Sequence, residues 1–414
     1  MQNFAPLRRF GRRQKAAFSG HLIYSTLLGA TALLGAGTPD AFAQEKRDIF
    51  KTEIFLTPYS KLGDTDATGD YPKLNGQLLF MTGYTGYFGI KDSNGQIPRS
   101  HWNSVQPTAE AALVWQLSQQ FSILSKITFD SSVEATNDNA FSDLGFNLKN
   151  LFASYTRDNF ALYGGKMDIG FGDGWHAIDG LYTGFTDDFQ YKGSIGLGGR
   201  YTFNTENMGA HSFAGLVFKR DDTVLDRRLS LDDGFISPTE GQPPAFSNDL
   251  NSFILTYDFR NVPGLKNISG GVDVGRLEAE PGYGEGANTI SARLRYDTAL
   301  TDKWNLSWFN EATFSSAFRG TPVSNGNGVT SLSLSHDHWQ FNATTAIRKL
   351  SGGGDERLAQ YGLQSDWDWG GVAGTVTYVT PIGIILQTGL VHQRDQTLNI
   401  NQGVFRIAYQ TGGF

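Results

Sequence analysis

The chain has 414 residues, with 34 Lys and Arg against 41 Asp and Glu, and no cysteine, which excludes a disulfide framework, thiolate chemistry and thiol-bound zinc. A formal net charge of −7 argues against nucleic acid as a partner. Fifty glycines and 13% aromatic residues point to many tight turns and ring-bearing strands.

Residues 1–43 have the order of an export signal. Arg8, Arg9, Arg12, Arg13 and Lys15 form a positive region, Leu22 to Gly37 is apolar, and Ala41-Phe42-Ala43 before Gln44 supplies an A-x-A cleavage site. The general secretory route is expected. The apolar stretch is short for a permanent membrane helix and is interrupted by Gly29, Gly35 and Gly37. With the leader removed, the remaining chain stands near −11. After Ala43 no apolar run approaches the roughly 18 residues of a membrane helix, so a helical inner-membrane transporter is excluded.

From about Leu74 onward, segments of period-two alternation follow one another. Phe121, Ile123, Ile127 and Phe129 alternate with Ser122, Lys126, Thr128 and Asp130. Phe253, Leu255, Tyr257 and Phe259 alternate with Ser252, Thr256, Asp258 and Arg260. Ile290, Ala292, Leu294 and Tyr296 alternate with Ser291, Arg293, Arg295 and Asp297, and Trp339, Phe341, Ala343 and Ile347 with Gln340, Asn342, Thr344 and Arg348. Successive strand residues face opposite sides, so each segment has one apolar and one polar face. A soluble sandwich alternates in the same way, with its apolar face in a core. Three features favour a membrane barrel: long strands, aromatics near strand ends (Trp304, Trp308, Phe203, Tyr257, Tyr409), and connections that alternate short and long. The short ones include Ser118-Gln119-Gln120, Arg157-Asp158-Asn159, Thr301-Asp302-Lys303 and Asp337-His338; the long ones include 168–190 and 219–249.

The expected fold is therefore all-β: a transmembrane antiparallel β-barrel of about 16 strands (14–18 allowed) with an inward-folding loop. About seventeen candidate strands are visible, and one is split or merged around Trp367 to Leu390, where Asp366 to Gly371 and Pro381-Ile382-Gly383 each read as a turn. The expected organisation is a signal peptide over 1–43, an N-terminal periplasmic segment or first strand over 44–73 (Ile49 to Tyr59 could pair and close the ring), and the barrel over 74–414. The thirty or so residues before Leu74 are too few for a plug domain of a large gated receptor.

The most distinctive passage runs Leu162-Tyr163-Gly164-Gly165-Lys166-Met167-Asp168-Ile169-Gly170-Phe171-Gly172-Asp173-Gly174-Trp175, then Asp179-Gly180-Leu181-Tyr182 and Thr186-Asp187-Asp188-Phe189. A strand ends in glycines and hands over to a loop rich in Gly, Asp and aromatics. Here the chain resembles the Gram-negative porin superfamily, most closely porin-like outer-membrane proteins of alphaproteobacteria. The resemblance covers the chain after Ala43 in architecture, and in motif only about 162–190. It implies a passive diffusion channel for small hydrophilic solutes in the outer membrane, a loop folded into the lumen, and a homotrimer. Asp168, Asp173, Asp179, Asp187 and Asp188 are then the acidic side of a constriction. Lys126, Arg200, Arg293, Arg295 and Arg348 share parity with polar neighbours and form the basic wall, since rings of charge select permeants by sign. Outer-membrane lipid and lipopolysaccharide are the expected surroundings, and the terminal Phe414 is the expected signal for the barrel-assembly machinery. The alternation behind Phe414 is out of phase, because Phe405, Ile407 and Tyr409 carry the apolar face while Arg406, Gln410 and Gly412 fall where apolar residues are common.

Other classes fit less well. A channel preferring a sugar, organic acid or oligosaccharide shares the architecture. A surface adhesin would use the loop 219–249, with Arg227-Arg228 and Pro243-Pro244, though mixed charge of this kind usually marks a solvated loop. A hydrolase needs a nucleophile with a base in reach. His336-Asp337-His338 lies at a turn, His176 has no neighbouring serine, and no P-loop, H-E-x-x-H or G-x-S-x-G motif is present. No enzyme activity, cofactor or metal is expected.

Overall fold

A computed structural model describes residues 71–92, 101–131, 138–141, 144–178, 180–181, 189–230, 234–236, 247–279, 284–317, 321–351, 367–394 and 398–410. Within them the long alternating segments become sixteen strands. In chain order these are β1 (Lys73–Asp92), β2 (Trp102–Gln116), β3 (Phe121–Ser131), β4 (Leu144–Arg157), β5 (Phe160–Gly170), β6 (Gln190–Thr205), β7 (Gly209–Arg220) and β8 (Ser252–Arg260). They continue as β9 (Ile268–Leu277), β10 (Ala287–Ala299), β11 (Trp304–Ser315), β12 (Ser324–His336), β13 (Trp339–Ser351), β14 (Trp367–Val379), β15 (Ile384–Arg394) and β16 (Leu398–Gln410). Each pairs antiparallel with its neighbours in sequence, and β1 pairs with both β2 and β16, so the sheet closes into a ring. Closure leaves no open edge, which is what a strand needs to cross lipid.

The alternation is inside out relative to a soluble protein. Along β10, Ile290 (49% exposed) and Leu294 (43%) point outward, while Ser291 (0%) and Arg293 (4%) are buried inward. The same parity puts Phe405, Ile407 and Tyr409 of β16 outside and Arg406 inside. The apolar belt therefore faces lipid and the polar faces line the interior, the arrangement of a transmembrane barrel.

The split expected near Trp367 is corrected in part. Residues 367–371 belong to β14, and only the tetrad 380–383 turns, with Gly383 at φ +83° and its N–H donating to Thr380. The export signal with Ala41, Ala43 and Gln44, the segment Ile49 to Tyr59, and Phe414 lie outside the described residues.

The ring has one local exception, and it positions the site. Strand β4 pairs with β5 only from Leu151 to Arg157. Beyond Lys166, β5 stays paired with β6 (Met167 with Ser194, Ile169 with Tyr191, Gly170 with Gln190), but both release their outer neighbours. Gly165, at φ +141°, sits at the departure, where a Cβ would collide with the Leu151 carbonyl. The tip of this hairpin turns inward, and Met167, Ile169, Phe171, Phe189 and Tyr191 pack on Phe152, Leu216, Phe218, Ile254 and Leu277. That side of the interior is consequently apolar, a departure from an all-polar lining. The wall position beside β4 is filled by another segment: 228–230 pairs with Gly145 and Phe146, and 234–236 pairs with 228–230.

Candidate functional site

Past the hairpin, residues 171–178 and 180–181 lie against the inner wall. It includes one helical turn, α1 (Gly174–Ala177). The Gly172 N–H donates to Asp273 Oδ2 of β9 (2.8 Å), and Gly172 has φ +73°. Glu311 of β11 accepts from the backbone N–H of Asp173 and of Gly174, the latter at 3.0 Å. Arg295 Nη1 of β10 donates to the Ala177 carbonyl (3.2 Å). Ala177 and Ile178 pack on Phe309, Val329 and Ala346, from β11, β12 and β13. The Leu181 N–H donates to Thr375 Oγ1 of β14 (2.8 Å), and its side chain packs on Ala373, Val391 and Val404. From β9 to β14 this covers about 24 Å of wall at roughly 4.8 Å per strand. Gly172 and Gly180, where a Cβ would meet Glu311 and Thr375, let the backbone approach the wall closely, while Ile178 and Leu181 pack their side chains onto it.

The electrostatic centre of this contact is Arg293. Its Nε lies 3.1 Å from Asp173 Oδ2, Nη1 lies 3.0 Å from Asp273 Oδ2, and Nη2 bonds to Asp258. All four side chains are buried. Thr256 Oγ1 donates to Asp273 Oδ1 (2.7 Å), so that carboxylate is held from two sides. A planar guanidinium can serve three carboxylates from three chain segments, which a point-like ammonium cannot.

The other residues singled out from the sequence are placed as follows. Arg295 reaches the inserted segment as described, and its Nε also pairs with Asp297 (3.1 Å). Lys126 points inward and pairs with Glu110 (2.7 Å). Arg200 is inward and half-buried, and Arg348 is inward and buried. Asp168 ties the base of the hairpin, its Oδ1 accepting from Gly193 N–H (3.0 Å) and its own N–H donating to Asn150 (3.3 Å). Asp173 and Arg293 are thus in direct contact, whereas Asp168 and Lys126 are engaged elsewhere. Asp179, Asp187 and Asp188 lie outside the described residues, as does the His176 side chain. His336 Nδ1 lies 3.5 Å from Asp337 Oδ2 at the β12–β13 turn.

The sequence reading missed a second cluster. Lys166 Nζ bonds to Asp221 (2.9 Å), Asp226 (3.2 Å) and the Leu225 carbonyl (2.8 Å). Asp226 is pushed up to about 6 by burial, against the pull of Lys166. Arg228 Nη1 pairs with Asp130 Oδ1 (2.8 Å), both buried. The loop after β7 is therefore not simply solvated: residues 221–230 seal the wall where β5 and β6 turn inward. The signal available in the sequence was Lys166 at an inward strand end and the cluster Asp221, Asp222, Asp226.

Together the fold and this geometry define a transmembrane barrel whose inner wall carries an inserted, salt-bridged segment. No protein-family model and no curated relative matches the chain. Solved structures do match. OprB of Pseudomonas putida, in its high-pH structure, has a TM-score of 0.50 at 10% identity, covering 82% of this chain and 94% of that one. The anion-selective porin from Comamonas acidovorans has 0.49 at 10% identity, covering 82% and 99%. OccAB3 of Acinetobacter baumannii has 0.48 at 10% identity, covering 83% and 100%. At these identities the likeness concerns fold, and the OprB match carries it.

Proposed function

We propose that the protein is an outer-membrane porin, a passive diffusion channel for small hydrophilic solutes, exported through a signal peptide cleaved after Ala43. The observation that carries this reading is the segment 171–181, held along the inner wall of a closed barrel by Arg293, Arg295 and Glu311. Such a segment narrows a lumen without plugging it, and fixed charges beside it select permeants. On this reading Asp168, Asp173, Asp179, Asp187 and Asp188 with Lys126, Arg200, Arg293, Arg295 and Arg348 set the constriction. Lipopolysaccharide and the barrel-assembly machinery, through Phe414, are the expected partners, in a homotrimer. Purified protein in planar bilayers should give ohmic single-channel steps, and Asp187→Asn with Asp188→Asn should lower cation preference. A non-conducting barrel overturns the reading, and unchanged reversal potentials remove that pair from the constriction.

A second reading, a channel preferring a sugar or organic acid, is favoured by the wall from β12 to β16. Inward side chains of β12–β16 include Asn325, Asn327, Asn342, Gln387, Gln402, Arg348 and Arg406. None of the inward side chains described on these strands is a carboxylate. Amides and guanidinium groups suit polyhydroxy or anionic solutes. Liposome swelling that ranks sugars and organic acids above zwitterions of equal size would support it.

A further inference from the structure

The outer surface is not uniformly filled. Gly199 of β6 and Gly215 of β7 are direct cross-strand partners and both face lipid. They floor a groove of about 510 Å³ walled by Phe160, Tyr201, Phe213 and Leu255, each exposed. Nothing in the barrel requires glycine at 215: a Cβ there would meet only Leu255 Cδ2, at 3.4 Å, an ordinary contact. Glycine is a poor strand residue, so its effect here is the space it leaves. Phe160 and Tyr201 also line a second cavity, of about 500 Å³, at the short turn joining β4 to β5. That cavity is polar at its far side, with Arg157, Asp158 and Asn159. Arg157 Nε and Asp158 Oδ2 are 3.8 Å apart and both side chains are largely exposed. Short turns mark the periplasmic rim of such barrels, the level of lipid headgroups in the inner leaflet.

We propose that this composite groove is a binding site for one zwitterionic phospholipid of the ethanolamine class. An acyl chain lies over Gly199 and Gly215 between the rings. The headgroup sits at the rim, its phosphate on Arg157 and its ammonium on Asp158. The apolar groove runs continuously into a loosely associated pair of opposite charges, which complements a headgroup carrying both signs. A second barrel docked here would leave that charged pair without a counterpart from its own apolar belt. A groove left empty in lipid loses its dispersion contacts, so an acyl chain that fits is held by packing. The inference needs only a membrane barrel and is independent of the channel reading.

Native mass spectrometry of the detergent-solubilised, full-length protein tests it, with phosphatidylethanolamine or phosphatidylglycerol of identical acyl chains added. The wild type should retain one phosphatidylethanolamine per chain in preference to phosphatidylglycerol. Gly215→Leu, which fills the groove, should lower retention of both about tenfold, the worth of ten or so lost heavy-atom contacts. Arg157→Gln and Asp158→Asn lie in an exposed turn and leave the barrel intact. Each should weaken phosphatidylethanolamine roughly 2- to 5-fold, as expected of exposed charge pairs. Equal retention by wild type and Gly215→Leu overturns the proposal, as does equal retention of the two lipids by the wild type. Loss of an oligomer in Gly215→Leu with lipid retention unchanged also overturns it, assigning the groove to a second copy. Should Gly215→Leu fail to fold, the two turn variants decide, and wild-type retention in both refutes the site.

Discussion

Replacing Arg293 by Met removes the one guanidinium that joins Asp173 of the inserted segment to Asp258 and Asp273 of the wall. Methionine keeps much of the apolar stem, so the packing change is small and the electrostatic change large. Three buried carboxylates then lie together without their cation, close to Glu311. Breaking a buried, hydrogen-bonded pair from one side costs about 3–5 kcal/mol, because the orphaned charge stays desolvated. For a domain of this size about 2 °C per kcal/mol is expected, giving a fall of roughly 6–10 °C. The assay is the temperature at which the detergent-solubilised barrel loses its folded mobility on a semi-native gel. Arg293→Lys should fall in between, since an ammonium can satisfy one carboxylate well but not three segments at once. Glu311→Gln should cost only about 1 kcal/mol, because an amide oxygen still accepts from the two backbone N–H groups. In bilayers Arg293→Met should also raise current noise as the segment 171–181 loosens. A Met variant within about 1 °C of wild type, with quiet channels, would refute the idea that this arginine fastens the segment.

Three other outcomes follow from the geometry. Gly172→Ala places a Cβ against the Glu311 carboxylate at a positive φ, so it should displace the segment and lose about 1–2 kcal/mol in the same gel assay. Lys166→Met leaves buried Asp221 without its ammonium and should expose the chain around 221–236 to limited proteolysis, with a loss of about 3 kcal/mol. Asp226 holds its proton more tightly folded, up to about 6, than at its ordinary value of 3.8. Its contribution is thus fully present at low pH and is lost as pH rises from about 4 through 6. Asp226→Asn should flatten that slope between about pH 4 and 6 while leaving the Lys166–Asp221 pair in place, and an unchanged slope counts against the assignment.

Much of the barrel could be read from residue parity alone. Ile290 and Leu294 against Ser291, Arg293 and Arg295 assigned faces correctly, because side-chain direction in a strand is a local property with period two. Parity also put Lys126, Arg200 and Arg348 inside. It could not say what Leu216, Phe218 and Ile254 would pack against on that inward face, because their place beneath the inward hairpin depends on where β5 leaves the wall. The turn expected at Asp366 to Gly371 was partly misplaced for a related reason: Gly370 and Gly371 look like a turn in isolation, but Gly371 pairs with Ala346 of β13 and the glycines are absorbed as a bulge in that pair. The loop after β7 looked solvated by its mixed charge, yet Asp221 and Arg228 are buried because a gap in the wall needed filling.

The amino-acid order by itself determined the class of fold, since alternating faces, long strands and short-then-long connections are written in neighbouring residues. It also marked the glycine-rich handover at 164–174 as the place where the chain departs from the ring. Which groups meet there was decided only in three dimensions. Asp173, Asp258, Asp273 and Glu311 converge on Arg293 from segments up to about 140 residues apart. A face tells a side chain which way to point, but the identity of its partner depends on the route taken by a distant stretch of backbone.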